Sequence, residues 1–212
     1  MISIVIPACN EENYIKETLE SIKAQTYKDY EIVVVCNGCN DNTEKIAKKY
    51  TNKVFSLKEG DVCKAKNFGA EKSNGKIIIF LDADTRFSEN DVLENIAKKN
   101  IKIGSCLFKP DEKSFMFNLF TLFKNSFCWI GLANGNLICN KKVFNNIGGF
   151  NIFPSENYNL VKRAKKYGKF IVVKDYVVTS MRRHKRLGYF YLSKYWLGTV
   201  FSKKKKEYAV IR

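Results

Sequence analysis

The sequence holds a single histidine, His184, and a single Cys-X-X-Cys, Cys36 to Cys39. A structural zinc site needs four such ligands at set spacings, so neither a zinc finger nor a zinc ribbon is expected. Seven cysteines, an odd number scattered through apolar or strand-end segments, offer no disulfide framework. They are read as structural or incidental thiols in a reducing compartment. No run approaches the ~18 uninterrupted apolar residues of a membrane span. The N-terminus opens at once on Ile2-Ser3-Ile4-Val5-Ile6-Pro7, with no basic segment or small-residue cleavage site, so no signal peptide is expected. Internal repeats, linkers and low-complexity tracts beyond Lys203–Lys206 are also missing. One domain is the economical reading, cytoplasmic or peripheral at the inner face of the cell membrane. Acid is scarce as well: 21 Asp and Glu stand against 37 Lys and Arg, a formal net charge of +16. From Arg182 to Lys206 there are nine Lys or Arg and no acid, a field that attracts the phosphates of nucleotides, nucleic acid or anionic lipid.

What is present is enough for a well-buried domain: 212 residues, 45% hydrophobic. Strand and helix patterns alternate through the first half. Ile2–Pro7 is a strand; Ile15, Leu19 and Ile22 recur on one helical face, with Asn10 or Glu11 as candidate caps. Glu31–Val35, Val54–Leu57 and Lys76–Leu81 read as further strands, with helices over Asp41–Tyr50 and Asp61–Lys72 between them. Such alternation predicts parallel strands joined by helical crossovers. The second half is less regular. A helix around Leu93, a strand at Ile101–Phe108, an aromatic helix over Phe115–Trp129 and a strand at Asn134–Cys139 are expected. They are followed by helices at Lys141–Ile147 and around Leu160, short strands at Lys169–Val173 and Tyr176–Thr179, and a helix over Leu187–Phe201.

Asp82-Ala83-Asp84 closes the apolar run Ile77–Leu81. Two carboxylates one residue apart, where a buried strand stops, can reach past the sheet edge into a cleft. Their oxygens suit a hard divalent cation, Mg²⁺ or Mn²⁺, shared with nucleotide phosphates. Ligands of open α/β sheets sit beyond the carboxyl ends of the strands, where this pair lies.

Five segments in order resemble family 2 glycosyltransferases of the GT-A fold, over about residues 1–185. Ile4-Val5-Ile6-Pro7-Ala8-Cys9-Asn10-Glu11-Glu12 is similar to the family's opening strand and Pro-X-X-Asn-Glu loop. Val33 to Thr43 resembles its second strand and Gly-Ser-X-Asp-X-Thr turn. Lys64-Ala65-Lys66-Asn67-Phe68-Gly69-Ala70 resembles its Ala-Arg-Asn-X-Gly helix. Asp82-Ala83-Asp84 falls at its metal-binding Asp-X-Asp, and Gly148-Gly149-Phe150 with Glu156 is similar to its Gly-Gly-Phe…Glu-Asp segment. Thr179-Ser180-Met181-Arg182-Arg183 resembles the Thr-Ser-X-Arg-Arg of a subset.

The resemblance implies a Rossmann-like, mostly parallel sheet flanked by helices in a single domain. Residues 1–100 would bind the nucleotide sugar, 101–185 would face the acceptor, and 186–212 would form a basic, amphipathic, aromatic segment. It implies a metal-dependent, inverting transfer of sugar from a nucleotide-diphosphate donor to an acceptor hydroxyl of a glycan or lipid-linked substrate. Pro7, Ala8, Asn10, Glu11 and Asn37 are the expected base and ribose contacts. Cys36 and Asn37 stand where many members carry aspartates, which leaves the nucleotide open. Asp41 is expected to cap rather than to bind. Lys64 and Asn67 would meet diphosphate and ribose or sugar. Asp82 would meet ribose or metal-bound water, and Asp84 the metal, with His184 completing its shell. Arg182 and Arg183 suit phosphate oxygens as leaving-group clamps. The family's base lies in the Glu-Asp segment; here Asn157 cannot serve, so Glu156 is the candidate, with Asp175 behind it. The mixture of aromatics and lysines in Tyr189–Lys206 fits an anionic bilayer surface.

Three alternatives stay open. A nucleotidyltransferase would open on a basic, Gly-rich loop rather than on Pro7-Ala8-Cys9-Asn10-Glu11-Glu12. Nucleic acid is not an expected partner, because it would leave the Asp82/Asp84 cleft unexplained. A non-catalytic nucleotide-sugar binder is the third, suggested by Asn157.

Overall fold

The computed structural model describes residues 1–58, 61–128, 135–151, 156–188, 191, 192 and 194. Along the chain run β1 (Ile2–Ala8), α1 (Ile15–Lys23), β2 (Tyr30–Asn37), α2 (Thr43–Ala47), β3 (Val54–Leu57), α3 (Val62–Lys72), β4 (Ile77–Leu81) and β5 (Thr85–Phe87). Then come α4 (Val92–Ala97), β6 (Ile103–Pro110), α5 (Phe115–Ser126), β7 (Asn136–Asn140), α6 (Lys141–Asn146), α7 (Glu156–Ala164), β8 (Phe170–Thr179) and α8 (Arg182–Leu187). Among the described residues the strands form one eight-stranded sheet, ordered β3-β2-β1-β4-β7-β6-β8-β5.

β1 shows why the sheet sits between two helical layers. Its alternate residues Ile2, Ile4 and Ile6 join Ile15, Leu19 and Ile22 of α1 in one apolar layer. Val5 faces the opposite way, among Val33, Val35 and the α3 residues Ala65 and Ala70. Period two on the strand meets period 3.6 on the helices, so both faces are buried. Gly69 lets α3 lie flush on the sheet: a β-carbon there would stand 2.3 Å from Val5 Cγ1.

β1 to β4 pair in parallel, as the alternation predicts. Pro7 lies level with Val35 and Ala8 with Cys36, so the loops after β1 and β2 leave the same edge as the end of β4. The second half brings in the antiparallel pairs. β7 runs against both β4 and β6, and β5 against β8, while β6 and β8 are parallel. The two short strands expected at Lys169–Val173 and Tyr176–Thr179 are one strand, β8. Its irregularity lies opposite Cys106 and Leu107, which pair with Val173 and Tyr176. β5 and α8 were not expected, each being too short for periodicity to show. Of the expected C-terminal helix, Leu187 closes α8, and Tyr191, Leu192 and Lys194 are helical. Gly188, at φ 79°, ends α8 and breaks the expected helix; its other residues, like Trp129 and Asn134, lie outside the described residues.

Candidate active site

The cleft is built by three loops stapled at one sheet edge. Asn10 holds a left-handed backbone, φ 57°, which asparagine tolerates better than most residues. Its Oδ1 accepts from Asn40 N at 2.8 Å. Glu11 N donates to Thr43 Oγ1 at 2.7 Å and Glu12 N to Asp41 Oδ2 at 3.0 Å, joining the first loop to the second. Asp41 Oδ1 also accepts from Thr43 N at 3.0 Å, closing the turn before α2; the cap position expected of Asp41 is taken by Asn42. Neither Asn10 nor Glu11 caps α1 with its side chain. The Glu11 carbonyl takes the amides of Tyr14 and Ile15, and Tyr14 occupies the cap position. That backbone arrangement leaves the Glu11 carboxylate to the cleft.

Register brings the carboxylate pair to the arginines. Thr85 lies opposite Thr179 across β5 and β8, so Ser180 to Arg182 run beside Asp84, and Ser180 N donates to the Asp84 carbonyl at 3.1 Å. Asp82 N is held by the Gly135 carbonyl at 2.8 Å, and Thr18 Oγ1 holds the Ala83 carbonyl at 2.8 Å. Arg182 Nη2 reaches both carboxylate oxygens of Glu11, at 2.5 and 2.7 Å, and Asp84 Oδ2 at 3.1 Å. The guanidinium lies 4.3 Å from the centre of the Tyr14 ring.

The charges do not balance. Burial pushes the Glu11 carboxyl up to about 7; Arg182 opposes the rise, and Asp84 and Asp82 add to it. Burial and the neighbouring Asp82 likewise raise Asp84, against Arg182 and Arg183. Carboxylates that raise one another in spite of the arginines beside them are a place for a further cation. Among the described residues no three His, Cys, Asp or Glu side chains gather closely enough to enclose a metal. The carboxylate pair of Asp82 and Asp84 suits Mg²⁺ or Mn²⁺, which is commonly held by one or two carboxylates, with phosphates and water supplying the rest.

The deeper wall comes from α3. The sequence points to Lys64, but Lys64 is exposed and Lys66 is buried. Lys66 Nζ lies 3.0 Å from Glu156 Oε1 and 3.2 Å from Asn157 Oδ1, with the Phe150 ring centre at 5.0 Å. Burial works against its charge, but Glu156 and Asp82 outweigh that and hold Lys66 above the ordinary lysine value. The missed signal was positional: Cys63, Lys66, Gly69 and Ala70 lie three, six and seven residues apart on the buried stripe of α3.

Other expected residues take framing positions. Asn67 spends both ends of its amide on Phe150, Nδ2 to the carbonyl at 2.7 Å and Oδ1 from N at 2.8 Å. It thereby fixes the Gly148-Gly149 turn rather than a ribose. Asn37 is buried and its Oδ1 accepts from Asp61 N at 3.2 Å, bracing the residue that caps α3. The Ala8 carbonyl accepts from Cys39 Sγ at 3.3 Å. All seven cysteines are free thiols. His184, expected in the metal shell, packs edge-on against Phe120, ring centres 4.8 Å apart. Burial, then Lys124 and Arg183, pull it down to about 4, an environment of cations rather than of a metal's carboxylates. Asp175 accepts from Asn95 Nδ2 of α4 at 3.1 Å, away from the Asp82 edge. A recess of about 130 Å³ opens beside Asp84, with Tyr14, Arg86, Asp111 and Ser180 among its walls. Asp111 was not anticipated; its Oδ1 accepts from Met181 N at 3.0 Å and so anchors the start of α8.

This sheet, with acidic side chains at its carboxyl edge, is the GT-A arrangement. Residues 3–159 match the family described as Glycosyl transferase family 2. The chain belongs to that family. An uncharacterized glycosyltransferase of Rickettsia typhi is 38% identical over 122 residues, 54% of this chain and 38% of the relative. The glycosyltransferase GlyA of Streptococcus pneumoniae is 31% identical over 130 residues, 56% of this chain and 18% of GlyA. The chain thus spans well under half the length of these relatives. In fold it is similar to S. aureus TarS 1–349 in complex with UDP-GlcNAc, with a TM-score of 0.69 and 22% identity over 85% of this chain and 58% of that one. It is also similar to the mannosyltransferase PcManGT from Pyrobaculum calidifontis in complex with GDP-Man and Mn²⁺, with a TM-score of 0.72 and 19% identity over 97% of this chain and 65% of that one.

Proposed function

We propose that this protein is a metal-dependent, inverting glycosyltransferase that moves a sugar from a nucleotide-diphosphate donor to an acceptor hydroxyl. The observation that carries the reading is the cluster Glu11–Arg182–Asp84 with Asp82, an acidic edge with an arginine already in it. The nucleotide complexes of TarS and PcManGT, and the Mn²⁺ of the latter, support it. Asp84 and Asp82 would hold Mg²⁺ or Mn²⁺, which neutralises charge on the departing diphosphate.

The remaining work falls to the chain. Arg182 and Arg183 at the start of α8 present guanidinium N–H groups to phosphate oxygens. Pro7, Ala8, Asn10 and Asn37 border the place for base and ribose, and Lys64 meets the diphosphate from the rim of α3. Lys66 positions Glu156. Glu156 takes the proton of the acceptor hydroxyl as that oxygen bonds to the anomeric carbon. The C–O bond to diphosphate breaks on the opposite face, its electron pair leaving with the phosphate, and configuration inverts. Two observations favour a second reading, a binder without turnover: Glu156 Oε1 is already engaged by Lys66, and Asn157 stands where the family carries aspartate.

The test is a thermal-shift screen of UDP-, GDP- and dTDP-sugars with and without Mn²⁺. A true donor gives a Mn²⁺-dependent rise that grows with its concentration. Asp84→Ala should abolish that dependence, and an unchanged shift in the variant removes Asp84 from the site.

A further inference from the structure

α5 is apolar on faces that nothing among the described residues covers. Phe115 is 80% exposed, Leu122 67%, Phe123 63%, Leu119 53%, Met116 50% and Phe127 40%. At about 100° per residue these six side chains share an arc of about 140°. The opposite arc is the anchored one: Phe117, Thr121 and Lys124 are buried, and the Asn125 amide clamps the Phe108 backbone at 2.9 and 3.1 Å. Soluble proteins seldom leave so many large apolar side chains in one contiguous patch without a use for it.

The patch has basic and aromatic borders and leads to the cleft. Lys113 precedes it, and Arg186 and Lys194 are exposed on the following segments, with Tyr191 52% exposed; Lys185 is exposed too but is paired with Glu112 at 2.6 Å. Phe120 of α5 packs on His184 of α8, two residues beyond the Arg182 that bonds Asp84. Aromatic and aliphatic groups set among cations match the headgroup zone of an anionic bilayer. A second copy matches poorly, since two chains of net charge +16 would bring like charges together.

We infer that the outer face of α5 docks on an anionic lipid bilayer, and that the acceptor is an amphiphile whose apolar part remains in that bilayer. The docking stands on the surface alone; the acceptor class rests on the transferase reading above.

The test is co-sedimentation of the full chain with mixed phosphatidylcholine–phosphatidylglycerol vesicles and with pure phosphatidylcholine. Binding to the mixed vesicles that weakens with salt is expected. The variant Phe115→Ser/Leu122→Ser/Phe123→Ser should bind at least ~10-fold more weakly, since each lost side chain removes buried apolar area. Its donor thermal shift should match that of the unaltered chain. Failure of the unaltered chain to bind, or equal binding by the variant, overturns the inference. So does a dimer that the variant splits while vesicle binding is absent, which assigns the face to a second copy. Vesicle binding without any donor response keeps the surface and sinks the transferase reading instead.

Discussion

Two largely shielded groups at α8, Glu11 against Arg182 and His184 within the helix, should pull stability in opposite directions with pH. Glu11 is raised from 4.5 to about 7 by burial, with Asp84 and Asp82 adding to the effect and Arg182 resisting it. Between those pH values the native state keeps a proton that the unfolded chain has released. The contribution is therefore complete below pH 4.5 and is lost as pH rises through 7. His184 is lowered from 6.5 to about 4 by burial, then by Lys124 and Arg183. Here the unfolded chain takes the proton that the native state refuses. Its contribution is present above pH 6.5 and is lost as pH falls through 4. Each displacement spans about two and a half pH units, worth about 3 kcal/mol at ~1.4 kcal/mol per unit. From pH 4.5 to 6.5 the two nearly cancel, so the unaltered chain should show little slope from this pair. Glu11→Gln removes the falling half and should unmask a rise of about 2 kcal/mol over that range. His184→Gln should unmask a fall of similar size. The assay is urea denaturation followed by circular dichroism across pH 4 to 8, in chelator, with midpoints converted through the slope. Profiles of both variants that run parallel to that of the unaltered chain would refute the argument.

Two substitutions separate the roles of the α3–α7 pair. Glu156→Gln should keep the donor-dependent thermal shift and lose sugar transfer, and normal turnover would eliminate Glu156 as the base. Lys66→Met leaves a carboxylate whose side chain is only 16% exposed without its cation. Equilibrium unfolding should show a loss of about 2–4 kcal/mol, somewhat below the full cost of breaking a buried pair because Glu156 can turn toward water. The double variant Lys66→Met/Glu156→Gln should recover much of it. A single-variant loss under about 0.5 kcal/mol would mean that the pair is merely adjacent.

Much of the first half was legible in the chain because its signals are local. Ile2, Ile4 and Ile6 against Ile15, Leu19 and Ile22 declare a strand and a helix by spacing, and Asp82-Ala83-Asp84 ends an apolar run. The chain beyond Asp84 was less legible. β5 is three residues long and exists through its pairing with β8, and β7 enters antiparallel, which no periodicity encodes. Within the site, Lys64 and Lys66 differ by two positions and look alike in composition. Which of them is buried depends on the face α3 turns to the sheet, and Gly69 against Val5 sets that face.

The sequence by itself determined the class of fold and the sheet edge at which Asp82 and Asp84 emerge, because backbone periodicity and strand ends follow from covalent spacing. Tertiary structure decided which charges meet. Arg182 lies 171 residues from Glu11, and Lys66 lies 90 from Glu156. It also turned Asn67 toward Phe150 and His184 toward Phe120. Such pairings come from packing and strand register, which set the distances on which Coulomb and hydrogen-bond energies depend.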